Sequence, residues 1–135
     1  MFIGNVKVEG LARLAPMAGI SNAPYRLVAR ECGSALTTSE EIDATGLTRK
    51  NTKTRYDIAK YLPEEKPVAL QILGSGAEDL VPGAQWLQDT GADIIDLNMG
   101  CPVPKITKTG RGSAMMKDVK KTAEILTAMR KVLSI

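Results

Sequence analysis

Histidine is missing altogether from these 135 residues, which removes the commonest general acid and base and leaves proton transfer to Cys, Tyr, Lys, Asp or Glu. Aromatic side chains are scarce, with one Trp, three Tyr and one Phe, so aliphatic residues must fill any core. Only two cysteines occur, Cys32 and Cys101, far apart and in unlike contexts. That excludes a disulfide framework and paired zinc-ligand spacing, and it is the usage expected in a reducing, cytoplasmic setting. No apolar run approaches the length of a membrane span, and Met1–Lys7 lacks the sustained apolar stretch of a signal peptide. A soluble protein with no membrane partner and no metal site is the expectation.

The net charge is only +3, but it is unevenly spread. Residues 1–100 hold ten Lys and Arg against thirteen Asp and Glu, whereas residues 101–135 hold eight against two. Lys105, Lys108 and Arg111 follow Cys101 closely, and a second basic cluster comprises Arg49, Lys50, Lys53 and Arg55. Both suit phosphate neutralisation beside a site, and both equally suit a solvated loop that keeps the protein soluble.

Apolar runs and helical periodicities alternate along the chain. Leu11–Ala18 reads as a strand ending at Gly19; Asn22-Ala23-Pro24 then opens a helix through Tyr25–Glu31 that Gly33 stops. Ala35–Ser39 is a weaker second strand, followed by a helix over about Thr52–Tyr61. Pro67–Gly74 is a third strand, and Ala77–Thr90 a helix with Pro82 in or near its first turn, ended by Gly91. Ala92–Met99 is a fourth strand. Val119–Leu133 is a last helix whose apolar face is expected at Val119, Ala123, Leu126 and Met129 or Val132.

Four strands alternating with helices imply a parallel sheet. The first turn, Pro16-Met17-Ala18-Gly19, is not a dinucleotide fingerprint, and no Gly-Lys-Ser/Thr phosphate loop is present. An α/β fold of TIM-barrel type is therefore favoured over an open doubly wound sheet. Eight β/α units need about 250 residues, so residues 1–135 are expected to form one partial domain, the first four units of a barrel.

The fourth strand is the most telling segment. Ile94-Ile95-Asp96-Leu97 runs directly into Asn98-Met99-Gly100-Cys101-Pro102, which delivers a thiol to a strand end, where barrel chemistry is sited. Cys101 is thus the first candidate for a reacting group; the alternative is a small buried side chain, since free cysteine is commonly interior. By the period of two, Ile94, Asp96 and Asn98 share one face, and the two polar groups need partners that a cofactor or substrate would supply. Glu40, Glu41 and Asp43 read as a solvated strand end in preference to a carboxylate cluster for metal or acid-base work, and Cys32 as a structural residue.

Taken together, Ala15-Pro16-Met17-Ala18-Gly19, Ser39-Glu40, Gln71-Ile72-Leu73-Gly74, Asn98-Met99-Gly100-Cys101-Pro102, Pro104-Lys105 and Gly110-Arg111-Gly112-Ser113-Ala114 resemble the tRNA-dihydrouridine synthases, most closely their bacterial B-type branch. The resemblance spans nearly the whole chain. It implies a TIM barrel that uses FMN, reduced by NADPH, to convert uridine in tRNA to 5,6-dihydrouridine. Pro16, Met17 and Ala18 would lie against the flavin ring, Gln71 at its polar edge, and Asn98 near both flavin and base. Cys101 would protonate uracil C5 after hydride reaches C6, and Lys105, Lys108 and Arg111 would contact RNA phosphates. Glu40 matches a possible wall residue of the active site and no more.

Members of that family also carry a fifth-strand lysine, later phosphate-binding loops and a C-terminal helical RNA-binding domain, none of which occurs in these residues. A half barrel would leave two sheet edges exposed, so self-association is expected, and the fragment alone is expected to be inactive. Two other functions remain open on sequence grounds: another FMN-dependent barrel reductase acting on a small molecule, and a half barrel without catalysis.

Overall fold

The computed structural model describes residues 1–135. The chain opens with a feature the sequence reading did not anticipate, an antiparallel hairpin of β1 (Phe2–Ile3) and β2 (Val6–Lys7). Ile3, Val6 and Val8 from this region pack on Ala35, Leu36, Ala69 and Ile94. Those four residues sit at or just before the amino ends of the parallel strands, so the hairpin closes that end of the sheet.

The main sheet is wholly parallel and follows chain order. β3 (Arg13–Leu14) pairs with β4 (Leu36–Thr38), β4 with β6 (Val68–Leu73), and β6 with β7 (Ile94–Leu97). β5 (Ile42–Asp43) pairs with the far end of β6. At Ala69 the two partners are Thr38 and Ile94, and at Ile72 they are Ile42 and Leu97, so β4 and β5 are one interrupted lane. Between their paired ends, Ser39, Glu40 and Glu41 stand opposite only Leu70 and Gln71. This is a bulge of one residue. Ser39 bridges it: its backbone N–H donates to the Ala69 carbonyl, and its hydroxyl accepts the Gln71 backbone N–H, both at 2.9 Å.

The helices cover the sheet's outer face. α1 (Ala23–Glu31) begins at Asn22, whose side chain caps the Tyr25 N–H at 3.1 Å. α2 is short (Ala44–Thr48) and is followed by a π-helical turn over Thr54–Ile58, where one helix through Thr52–Tyr61 was expected. α3 (Ala77–Asp89) carries Pro82 well inside the helix rather than in its first turn. Pro82 is exposed, so water can bond the carbonyl its ring leaves unpaired. Gly83 lets α3 approach β6: a Cβ there would lie 2.9 Å from Ile72 Cδ1. The main core accordingly joins Val68, Leu70 and Ile72 to Leu80, Ala84 and Leu87.

After β7 come α4 (Pro104–Thr107), a 3-10 segment over Gly112–Lys117, and α5 (Val119–Val132). α5 keeps Met129 of the expected apolar face and corrects the rest. It buries Thr122, Ile125 and Met129, while Val119 and Leu126 are exposed. The periodicity of Val119, Ala123 and Leu126 is a helical one, but these side chains stay exposed, with Leu126 in a groove beside β7. One charged pair is fully buried: Arg26 Nε meets Glu65 Oε2 at 2.5 Å, and its remaining donors reach the carbonyls of Ser21 and Lys60. With every polar group partnered, the pair ties α1 to the segment preceding β6 without leaving an unpaired interior charge.

Candidate active site

A pocket of about 750 Å3 opens at the carboxyl ends of the strands, opposite the hairpin. Pro16 and Ala18 reach it from the loop after β3, Glu41 from the bulged lane, Gln71 from β6, Asp96 and Asn98 from β7, and Cys101 and Lys105 from the segments that follow. Every lane of the sheet therefore contributes. The alternation along β7 turns Asp96 and Asn98 inward and Ile95 toward the helical side, while Leu97 and Met99 pack on the helical core and also border the pocket.

The pocket floor is a chain of side-chain hydrogen bonds. Gln71 Nε2 donates to Asp96 Oδ2 at 2.6 Å; Asn98 Nδ2 donates to Gln71 Oε1 at 3.0 Å and to Glu41 Oε2 at 3.1 Å. Asn98 Oδ1 in turn accepts the backbone N–H groups of Gly100 and Cys101, at 3.2 and 3.1 Å. The partners that Asp96 and Asn98 need thus come from within the chain, and no cofactor or substrate is required to satisfy them. Both amide hydrogens and both acceptor positions of Asn98 are occupied, whereas Gln71 retains one N–H and one acceptor lone pair. The bulge makes this possible, because its extra residue carries Glu41 to a point from which it reaches β7 across β6.

Its neighbour Glu40 works in the other direction. Glu40 Oε2 accepts the Gly19 N–H at 2.5 Å and so holds the loop that bears Pro16, Met17 and Ala18. Met17 does not line the pocket; its backbone bonds the Ser21 hydroxyl and keeps the loop folded.

Cys101 is partly buried and lies on a turn fixed from both sides. Its N–H is capped by Asn98, and its carbonyl accepts the Ser113 N–H at 3.0 Å. The second contact depends on Gly112, which has φ +58° and whose added Cβ would sit 2.5 Å from the Cys101 oxygen and 3.1 Å from the Cys101 Cβ. Cys32 is exposed at the end of α1 and takes no part in the pocket.

Among the basic residues, only Lys105 lines the pocket. Lys108 is exposed at the end of α4, and Arg111 pairs with Asp43 at 3.3 Å. Arg55 is committed elsewhere, since it lies 5.0 Å over the Trp86 ring and donates to the Leu47 carbonyl at 2.7 and 3.1 Å. It is not free for the phosphate contact suggested by its cluster, and none of Arg49, Lys50 or Lys53 lines the pocket. Glu41 is the charged pocket residue that sequence reasoning missed, and only the lane's extra residue could have revealed it; the apolar Val103 and Ile106 also line the pocket without having been singled out. No group of His, Cys, Asp or Glu side chains has the arrangement of a metal site.

A parallel α/β sheet in barrel order, with a thiol and paired amides at the strand carboxyl ends, is the arrangement of a partial TIM barrel. Residues 13–135 match the family model described as dihydrouridine synthase (Dus), and the chain belongs to that family. The tRNA-dihydrouridine synthase B of Xanthomonas axonopodis pv. citri (strain 306) is 36% identical over 131 residues, 96% of this chain and 39% of that protein. Proteins of the same name from Klebsiella pneumoniae and Escherichia coli (strain K12) are each 33% identical, over 100% and 94% of this chain and 42% and 39% of their own lengths. The chain thus spans about two-fifths of the relatives it matches.

Proposed function

We propose that residues 1–135 form the N-terminal half of the catalytic barrel of a flavin-dependent tRNA-dihydrouridine synthase, acting in the cytoplasm on uridine in tRNA. One observation carries the reading: in a chain of this family, Cys101, Gln71, Pro16 and Ala18 surround a single pocket at the strand carboxyl ends.

The residues present fit a flavin ring. Gln71 is 7% exposed and keeps one donor and one acceptor unpaired, the complement of a pyrimidine edge that offers both. Gly100 lines the pocket and an added Cβ there would meet nothing within 4 Å, so the backbone is open to close approach at that point. Pro16, Met17 and Ala18 would support the ring, and Gln71 would bond its edge. When bound, FMN reduced by NADPH supplies the hydride taken up at uracil C6.

The chain's own chemistry is the proton. Cys101 would give its thiol hydrogen to C5, completing 5,6-dihydrouridine, and the thiolate would regain a proton from solvent. Asn98 would hold the Cys101 turn beside the base. A uridine within tRNA must leave its stack to enter such a pocket, and Lys105, Lys108 and Arg111 would grip the flanking phosphates. Arg111 can exchange its half-exposed partner Asp43 for a phosphate.

The test is Cys101→Ala in a protein of the relatives' full length, assayed with tRNA transcripts. Flavin absorbance is expected to persist while dihydrouridine formation falls by about a hundredfold or more. Equal rates in variant and parent would remove Cys101 from the proton-donating role.

A further inference from the structure

We propose that Glu41 is a positioning residue whose carboxylate, together with that of Asp96, sets the direction of both pocket amides and thereby holds the Cys101 turn. The value of that turn for chemistry rests on the assignment of Cys101 as proton donor.

The two ends of a side-chain amide are nearly the same shape, so their neighbours decide which end points where. Here the terminal neighbours are carboxylates, which only accept. Asp96 takes Gln71 Nε2 and leaves Gln71 Oε1 facing Asn98; Glu41 and that oxygen then take both hydrogens of Asn98. Asn98 Oδ1 is left for the two turn N–H groups. Turning Asn98 over would set its oxygen against two acceptors and its NH2 against two donors. Turning Gln71 over would do the same at Asp96 and Asn98. One arrangement survives.

Glu41 is the member that acts across lanes. Without its acceptor, Asn98, only 7% exposed, would hold an amide hydrogen with no partner, and the orientation that caps the Gly100 and Cys101 N–H groups would lose one of its supports. Glu41 touches neither of those N–H groups, so its influence on Cys101 passes entirely through Asn98. Because it stands at the rim on a bulge rather than in the core, its replacement does not disturb the packing between β6 and α3.

Hydrogen exchange of backbone amides in the 135-residue chain tests this, read as the ratio of Gly100 and Cys101 exchange to that of Leu70 and Ile72 in β6. Leu70 and Ile72 report global opening, so a rise at Gly100 and Cys101 relative to them is local to the turn. Glu41→Met is expected to raise it about fivefold or more, and Glu41→Gln, whose carbonyl can still accept from Asn98, to leave it within about twofold of the parent. A parental ratio in Glu41→Met, or equal ratios in the two variants, would overturn the proposal. Neither flavin nor RNA enters the measurement, so failure of the proposed reaction and failure of this role are separable.

Discussion

A methyl group at position 112 would press on the backbone of Cys101 while also requiring the left-handed conformation of a residue that disfavours it. Gly112→Ala is therefore expected to destabilise the chain by about 1–3 kcal/mol, measured by urea unfolding, with the loss felt first at the Cys101 turn. At this scale the sequence was informative where a residue's surroundings are local. Pro16 and Cys101 lie in the loops after β3 and β7 and Gln71 near the carboxyl end of β6, and their convergence on one pocket follows from the parallel order of the strands. Glu41 was illegible because its position depends on whether Ser39, Glu40 and Glu41 oppose two residues or three. Asn98 was legible as an inward-facing residue of the pocket, but its commitment to the turn depends on which partners meet its amide in three dimensions.

Between elements, α2 and α3 are joined by a carboxylate. The hydroxyls of Thr45 and Thr48 donate to Asp79 at 2.7 and 2.9 Å, and these bonds, Thr45 foremost, hold its carboxyl below the usual carboxylate range. A carboxyl lowered by folding stabilises the native state above its unfolded pKa, and the contribution disappears as pH falls through the folded value. Asp79→Asn is expected to be less stable than the parent at pH 7 by under about 1 kcal/mol, a gap that closes below about pH 4. Urea titrations at pH 7 and pH 3 check both halves of the statement. Long, strongly patterned elements were the readable ones: the Pro67–Gly74 and Ala92–Met99 runs contain β6 and β7, and the Ala77–Thr90 pattern contains α3. The hairpin of β1 and β2 was not, since two-residue strands carry too little alternation to register. The buried face of α5 was misread because two apolar stripes run along that helix, and burial of Thr122 between them is decided by its hydroxyl bond to the Met115 carbonyl at 2.8 Å.

Over the whole molecule, the packed hairpin and the candidate site lie at opposite ends of the sheet. The hairpin packs on the amino ends, and the pocket opens at the carboxyl ends. The sides are open. β3 and β7 each pair on one edge only, and a groove of about 750 Å3 beside β7 is lined by Ile95, Leu97, Leu126, Met129 and Leu133. Unpaired edges flanked by apolar surface favour association. The 135-residue chain by itself is expected to sediment as an oligomer at micromolar concentration, and a strictly monomeric, folded species would contradict this. No helix is long and apolar enough to cross a membrane.

The Ser39 hydroxyl stitches the second lane to the third where a carbonyl would ordinarily do so. Two consecutive side chains at the tip of that lane are thereby released from any duty to the ladder. Substitutions at positions 40 and 41 can therefore change how the Pro16 loop and the Cys101 turn are held without shifting the register of the sheet.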